Sequence, residues 1–228
     1  ISSGGTAQPV VTPGKVESLR GNDYATFDGI DDYVDVSSLP DTLLNSDFSI
    51  SFKFNKPNSV KVDNDRFFDY SINPGNYLQI ITDDVKQKYA VRLVIGGVDK
   101  VAGLTFGDID FGVDTIITVT YNSTTSTLIF YKNAVQIDSD LSTAIGYGAA
   151  GKSVGARVDL TASTFFEGLL RDFRIYDDAL TQDEITYLAS EGVSGINPGT
   201  GNLLAEYNLD ASQSNPGTFI EDTSGNGN

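Results

Sequence analysis

Apolar and polar residues alternate through much of this chain. Phe48, Ile50, Phe52 and Phe54 are separated by Ser49, Ser51 and Lys53, a period of two that turns one face of a strand toward a core. Similar runs predict strands over 66–71, 77–82, 89–95, 115–121 and 127–132, with Asn73-Pro74-Gly75, Gly96-Gly97 and Asn122-Ser123 as the turns between them. Short strands with regular polar breaks describe an antiparallel sandwich of two sheets. A glycine-rich connection over 146–155 leads to the longest predicted strand, roughly 165–177. There Phe173 and Ile175 flank Arg174, which points the other way. The predicted core is Phe48, Ile50, Phe52, Phe54, Val119, Tyr121, Phe173 and Ile175.

The period changes once. Thr181 fits an N-cap, with Glu184 three residues on to complete a capping box. Ile185, Leu188 and Ala189 give the short helix one apolar face, and Gly192 suits its C′ position. Residues 1–14, with Gly4-Gly5, Pro9 and Pro13, read as an extended arm, 15–191 as the core domain, and 192–202 as a Gly/Pro/Asn linker. A linker of about ten residues reaches up to about 35 Å. In 203–228, Ala205, Tyr207 and Leu209 alternate with Leu204, Glu206 and Asn208, the pattern of a strand that completes its own sheet or a neighbour's.

Composition narrows the chemistry. The chain of 228 residues carries a net charge of −16, which opposes binding to nucleic acid or an anionic membrane surface. No apolar run is long enough to insert into a membrane. Cys, His and Trp are absent, which removes disulfides, thiolate metal sites and the commonest general base. Ile1 reads as a processed end or a boundary within a longer chain. The acids are lopsided, 25 Asp against 6 Glu. Asp serves turns, by bonding nearby amides, and also serves calcium, as a hard oxygen ligand.

Three segments carry a family resemblance. They are Phe27-Asp28-Gly29-Ile30-Asp31-Asp32-Tyr33-Val34, the stretch from Phe166-Glu167-Gly168 through Arg174-Ile175-Tyr176 to Ala179-Leu180-Thr181, and Asp222-Thr223-Ser224-Gly225-Asn226-Gly227. With the turn Gly14-Lys15-Val16, they resemble the laminin-G-like, concanavalin A-like jelly rolls in permuted order; joining Asn228 to Ile1 restores the family order. The resemblance implies an all-β, two-sheet antiparallel jelly-roll sandwich with one short helix near the C-terminus. It also implies that the Asp222 loop lies near the Phe-Asp-Gly turn and the closing strand. Asp28, Asp31, Asp172, Asp222 and Asn226 are therefore candidate ligands for a structural calcium ion, with Asx-turn chemistry as the alternative. The chain departs from the family in lacking Trp: Phe52 stands where such domains often have one.

No catalytic pattern emerges. The Glu-x-Asp-x-x-Glu spacing of related glycosidases is missing, Asp108-x-Asp110 and Asp138-x-Asp140 fall in expected turns, and there is no Gly-x-Ser-x-Gly. The expectation is a non-enzymatic, extracellular or surface-exposed module. Because the tail stops inside a motif that continues at Ile1, the favoured form is an adhesion or assembly unit. It would join copies of itself, or adjacent repeats, head to tail through the C-terminal strand. The alternative is a monomeric, calcium-dependent lectin-like module that binds glycan or protein, with Tyr70, Tyr77, Tyr89 and Tyr147 as candidate stacking rings.

Overall fold

The computed structural model describes residues 24–43, 45–57, 65–73, 75–83, 88–95, 98–108, 110–141, 151–161, 163–192, 194–199, 202–209 and 222–226. The expected arm and the Gly14-Lys15-Val16 turn lie outside them. Thirteen strands and one helix follow in the order β1 (Ala25–Asp28), β2 (Val34–Asp35), β3 (Phe48–Asn55), β4 (Arg66–Asn73), β5 (Asn76–Asp83), β6 (Lys88–Ile95), β7 (Val98–Asp108), β8 (Thr115–Asn122), β9 (Thr127–Lys132), β10 (Val135–Leu141), β11 (Gly151–Val154), β12 (Glu167–Tyr176), α1 (Gln182–Ala189) and β13 (Leu203–Tyr207). One sheet runs β1-β12-β3-β8-β9-β10 with β13 also on β12, and the other runs β2-β11-β4-β5-β6-β7. All pairings are antiparallel.

The predicted core residues are all buried in one cluster between the sheets. Its centre is aromatic: Phe52 lies 5.1 Å from Phe67 and 5.9 Å from Phe173 by ring centroids, and Phe67 lies 4.9 Å from Phe166. Phe52 thus serves as core filling. Five strands have no counterpart among the predicted runs: β1, β2, β7, β10 and β11, the last inside the glycine-rich connection. The longest strand is β7 with 11 residues, ahead of β12 with 10. Asp138 lies in a strand where a turn was expected.

The helix caps as predicted, with the Thr181–Glu184 box complete. Its C-cap is Ser190, so C′ falls on Glu191, at φ 54°, and Gly192 stands one position later, at φ 83°. Ile185 and Leu188 seat the helix on the outer face of the β12 sheet against Tyr131, Tyr176 and Leu203.

The tail joins its own sheet. β13 pairs with β12 through Phe173↔Tyr207, Arg174↔Glu206 and Ile175↔Ala205, while β1 pairs with the other end of the same edge. The linker does not extend. Ile196 N donates to Asp183 O at 3.1 Å and Asp177 N to Asn202 O at 2.9 Å. Gly195, at φ 96°, lies so close to the helix that a Cβ there would meet Asp183 O at 2.3 Å. This close contact folds the linker back onto α1 and delivers Leu203 to the strand beside β12.

Candidate functional site

The outer face of the second sheet holds a cleft. In β4 the register slips between Arg66 and Phe68, so Phe67 is an extra residue. Strict alternation would place Arg66 on the same face as Phe68. The bulge instead lets both phenylalanines enter the core and swings Arg66 to the outer face, the kind of re-aiming that bulges perform. Its neighbours hold it there: Arg66 N donates to Thr164 O at 3.2 Å, and the fully buried Asp65 just before it pairs with the fully buried Lys56.

Across this face, Asp69 stands opposite Gln79, and Gln79 opposite Arg92. Asp69 is fully buried; it accepts from Ser71 Oγ at 2.7 Å, Gln79 Nε2 at 3.3 Å and Val158 N at 3.1 Å. Burial pushes its carboxyl above the ordinary range against those hydrogen bonds. The cleft above has a volume of about 400 Å³ and is lined by Arg66, Tyr77, Gln79, Arg92, Arg157 and Asp159, among others. The Arg92 guanidinium lies 5.6 Å from the Tyr77 ring centroid. Arg157 Nε is 3.4 Å from Asp159 Oδ2. Burial, opposed by Asp69 and reinforced by the charges of Arg157 and Arg92, pushes Arg66 down to about 10. Gln79 Oε1 is buried and finds no donor among the described residues. Its amide orientation follows from Asp69, which requires the NH₂ group on its own side.

A larger hollow of about 460 Å³ lies on the other outer face, between α1 with its following segment and strands β3 and β12. Its charges satisfy one another. Lys53 pairs with Glu191, Arg171 Nη2 lies 3.0 Å from Glu191 Oε1, and Arg174 Nε lies 2.6 Å from Glu206 Oε1.

The five predicted calcium ligands separate into three groups. Asp28 and Asp31 meet with Asp32, and one oxygen from each lies within 4.8 Å of the others, the only such trio among the described residues. Asp32, missed in the sequence, is fully buried; its Oδ2 accepts Asp28 N at 2.8 Å, while Oδ1 finds no donor among the described residues. Burial, with the charges of Asp28 and Asp31 assisting, pushes it up to about 6. An orphaned, desolvated oxygen beside two further carboxylates fits a hard cation.

Asp172 lies elsewhere, at φ 52° in a bulge of β12, with Arg171 at 3.1 Å and Arg174 at 3.7 Å. Asp222 accepts Glu206 N and Ser224 N, both at 2.9 Å, and Asn226 Nδ2 donates to Leu203 O at 2.6 Å. These two bind backbone and strap the outward edge of β13.

The aromatic candidates also divide. Tyr70 is fully buried and donates to Asp41 O at 2.6 Å, whereas Tyr77 is half-buried at the cleft. Tyr147 and the Tyr89 side chain fall outside the described residues.

A model of the concanavalin A-like lectin/glucanases superfamily matches residues 28–186. The chain belongs to that superfamily. Several solved structures share its fold at low identity. A putative carbohydrate binding protein from Bacteroides ovatus superposes with a TM-score of 0.67 at 18% identity, over 94% of this chain and 57% of that one. Domain 4 of an extracellular arabinanase from Geobacillus stearothermophilus, in complex with arabinotriose, gives 0.61 at 20%, over 82% and 91%. The binding domain of botulinum neurotoxin DC, in complex with rat synaptotagmin II, gives 0.62 at 16%, over 83% and 48%. The chain thus spans a little over half of the Bacteroides protein. No curated protein matches the sequence. Among the described residues, no helix is long and apolar enough to cross a membrane.

Sequence reasoning missed Arg66, Gln79, Arg92 and Arg157. One signal was available for Arg66: the adjacent pair Phe67-Phe68 breaks strict alternation and marks a bulge.

Proposed function

We propose that this chain is a non-catalytic carbohydrate-binding module, working at the cell surface or outside the cell, whose glycan sits in the cleft over β4, β5 and β6. The observation that carries the reading is Gln79 Oε1, a buried acceptor without a donor among the described residues, in a concave site with the Tyr77 ring and three guanidinium forks. Sugar hydroxyls supply donors, and a few placed polar groups beside an aromatic ring are what such sites use for orientation. The Bacteroides putative carbohydrate binding protein and the arabinotriose-bound arabinanase domain support it in kind. A glycan array probed with the wild-type chain and with Tyr77→Ala and Gln79→Ala tests it. Signals lost in both variants support the cleft; signals unchanged in both overturn it.

Head-to-tail assembly through the tail is the reading we set aside. β13 pairs within its own chain, and the Asp222–Asn226 strap occupies the edge another strand would need. Light scattering should return a monomer at high concentration, while long, dissociation-resistant polymers would restore the assembly reading.

A second reading concerns calcium, which Asp28, Asp31 and Asp32 would hold, without Asp172, Asp222 or Asn226. The ion would tie the turn after β1 together and satisfy Asp32 Oδ1. Added calcium should raise the melting temperature of the wild type and of Asp222→Ala, but not of Asp32→Asn. Superimposed melting curves in calcium and in chelator would end this reading.

A further inference from the structure

We infer that Asp69, buried beneath this cleft, is the positioning residue that sets its specificity: by taking the donors of Ser71 and Gln79, it leaves both side chains to meet a ligand as acceptors. The inference rests on the carbohydrate-binding reading and names what that same site selects, a ligand whose hydroxyls donate into the floor.

The first argument is an inventory of donors. Among the described residues, three groups donate to Asp69: Ser71 Oγ to Oδ1 at 2.7 Å, and Gln79 Nε2 and Val158 N to Oδ2 at 3.3 and 3.1 Å. All three belong to residues that line the cleft, while Asp69 itself is 0% exposed. Serine has a single O–H, so once it is given to Asp69 the Ser71 hydroxyl keeps only lone pairs for a ligand. Gln79 turns its NH₂ to the same carboxylate, which leaves Oε1 on the other side, buried and without a donor among the described residues.

The second argument is that neighbouring backbone locks this arrangement. A peptide N–H can only donate, so Val158 makes Oδ2 an acceptor whether or not Asp69 carries a proton. Gln79 Nε2 shares that oxygen, and flipping the amide would set two acceptors face to face. A proton on Asp69 would sit on Oδ1 and reverse Ser71 alone. Register completes the site: across β4 and β5, Asp69 stands opposite Gln79 and Ser71 opposite Tyr77, so both acceptors share a sheet face with the Tyr77 ring. The third argument is the consequence for a ligand. A desolvated acceptor left unmet penalises a ligand without a donor there more than it rewards one that has it. A sugar hydroxyl has the proton to give, whereas an ether oxygen does not.

Nuclear magnetic resonance of the whole chain tests the inference, first without a ligand. The Gln79 side-chain amide, assigned by its loss in Gln79→Leu, should show one proton shifted downfield and exchanging with water more slowly than those of exposed glutamines. Asp69→Asn should keep that signature, because its Oδ1 can still face Val158 N and Gln79; Asp69→Leu should lose it. Titration with methyl galactoside, methyl glucoside and methyl xyloside, each beside its monodeoxyfluoro analogues, then reads specificity. Fluorine is close to a hydroxyl in size and has no proton to donate. In the wild type, two fluoro positions of a bound glycoside should each weaken binding about tenfold, the scale of one unmet buried acceptor. Asp69→Asn should abolish one of these two rejections, by reversing Ser71, and Asp69→Leu should abolish both. Asp69→Asn carries the test should Asp69→Leu fail to fold. A Gln79 amide that behaves like an exposed one, or an Asp69→Asn chain that rejects both analogues as the wild type does, overturns the inference and leaves the carbohydrate-binding reading standing. If no glycoside binds while the amide stays protected, the carbohydrate-binding reading falls with the hydroxyl specificity, and Asp69 stands only as the group that orients Gln79.

Discussion

Each sheet turns an outer face to solvent, and among the described residues three cationic side chains gather on each, but their surroundings differ. On the β12 sheet, Lys53, Arg171 and Arg174 are met by Asp114, Asp172, Glu191 and Glu206, and α1 packs beside them. On the β4 sheet, Arg66, Arg92 and Arg157 crowd one another with Asp159 at the rim and Asp69 beneath. Opposed charges on a covered face belong to architecture: they hold a helix and a tail strand in place. Arginines gathered beside an aromatic ring in an open, concave site are placed where a ligand can reach them. Ligand sites are therefore better sought where such groups gather than where a hollow is largest, and here the larger hollow is the neutralised one.

The largest predicted effect strikes both faces through the core they share. Phe52 is 1% exposed and packs against Phe67, beside the bulge that aims Arg66, and against Phe173, beside Arg174. Phe52→Ala should cost about 3–5 kcal/mol by denaturant unfolding, and glycan binding and helix docking should be lost together. A variant as stable as the parent would place that ring outside the core. Next comes the neutralised face alone. Arg174 bonds Glu206 at 2.6 Å with both side chains mostly covered, so Arg174→Gln should cost about 1.5–3 kcal/mol, the range for hydrogen bonds to charged groups. Glycan affinity should stay at the wild-type value.

What was legible in the sequence was what repeats. Alternation in β3, β8 and β12 identified every predicted core residue, because strand geometry forces a period of two whatever the partner. The Thr181–Glu184 box was legible because its hydrogen bonds run between residues three apart. The cleft was not. Arg66, Gln79, Arg92 and Arg157 come from three strands and a loop, and only register between strands, which one sequence does not display, brings them together. Asp32 was passed over for a related reason. It sits beside Asp31 in sequence, yet one is fully buried and the other exposed, a difference made by the turn closing over Phe27 and Gly155. The tail was left open between its own sheet and a neighbour's, with the neighbour favoured, because the linker's length allows either; length alone does not give a path, and here β13 pairs within the chain and Gly195 lies against α1.

A smaller effect should follow loosening of the cover on the neutralised face. Thr181→Ala removes the hydroxyl that accepts from Glu184 N and donates to the Glu184 carboxylate. The loss should be about 1 kcal/mol, detected as a modest fall in melting temperature. Glycan affinity on the far sheet should not change. A fall in affinity comparable to that of Arg92→Gln would show that the two faces are coupled, contrary to their separate roles.

The smallest stability effect should come from Arg92→Gln, although the same change should weaken glycan binding in the cleft it lines. Two terms oppose each other at this residue. Its guanidinium gains about 0.5–1 kcal/mol over the Tyr77 ring, and it is opposed by the like charge of Arg66, which is pushed down first by burial and then by the charges of Arg157 and Arg92. Replacement by an uncharged side chain of similar length removes both terms, so stability should stay within about 0.5 kcal/mol of the parent. The sign can be read from salt: repulsion is screened as ionic strength rises while packing is not. The variant's relative stability should therefore be highest in low salt and decline as salt is added. Arg174→Gln should show the reverse, its penalty shrinking with salt because an attraction was lost. If Arg92→Gln instead destabilises as much as Arg174→Gln, and with the same salt dependence, the cleft arginines are structural like those across the sandwich, and the contrast between the faces disappears.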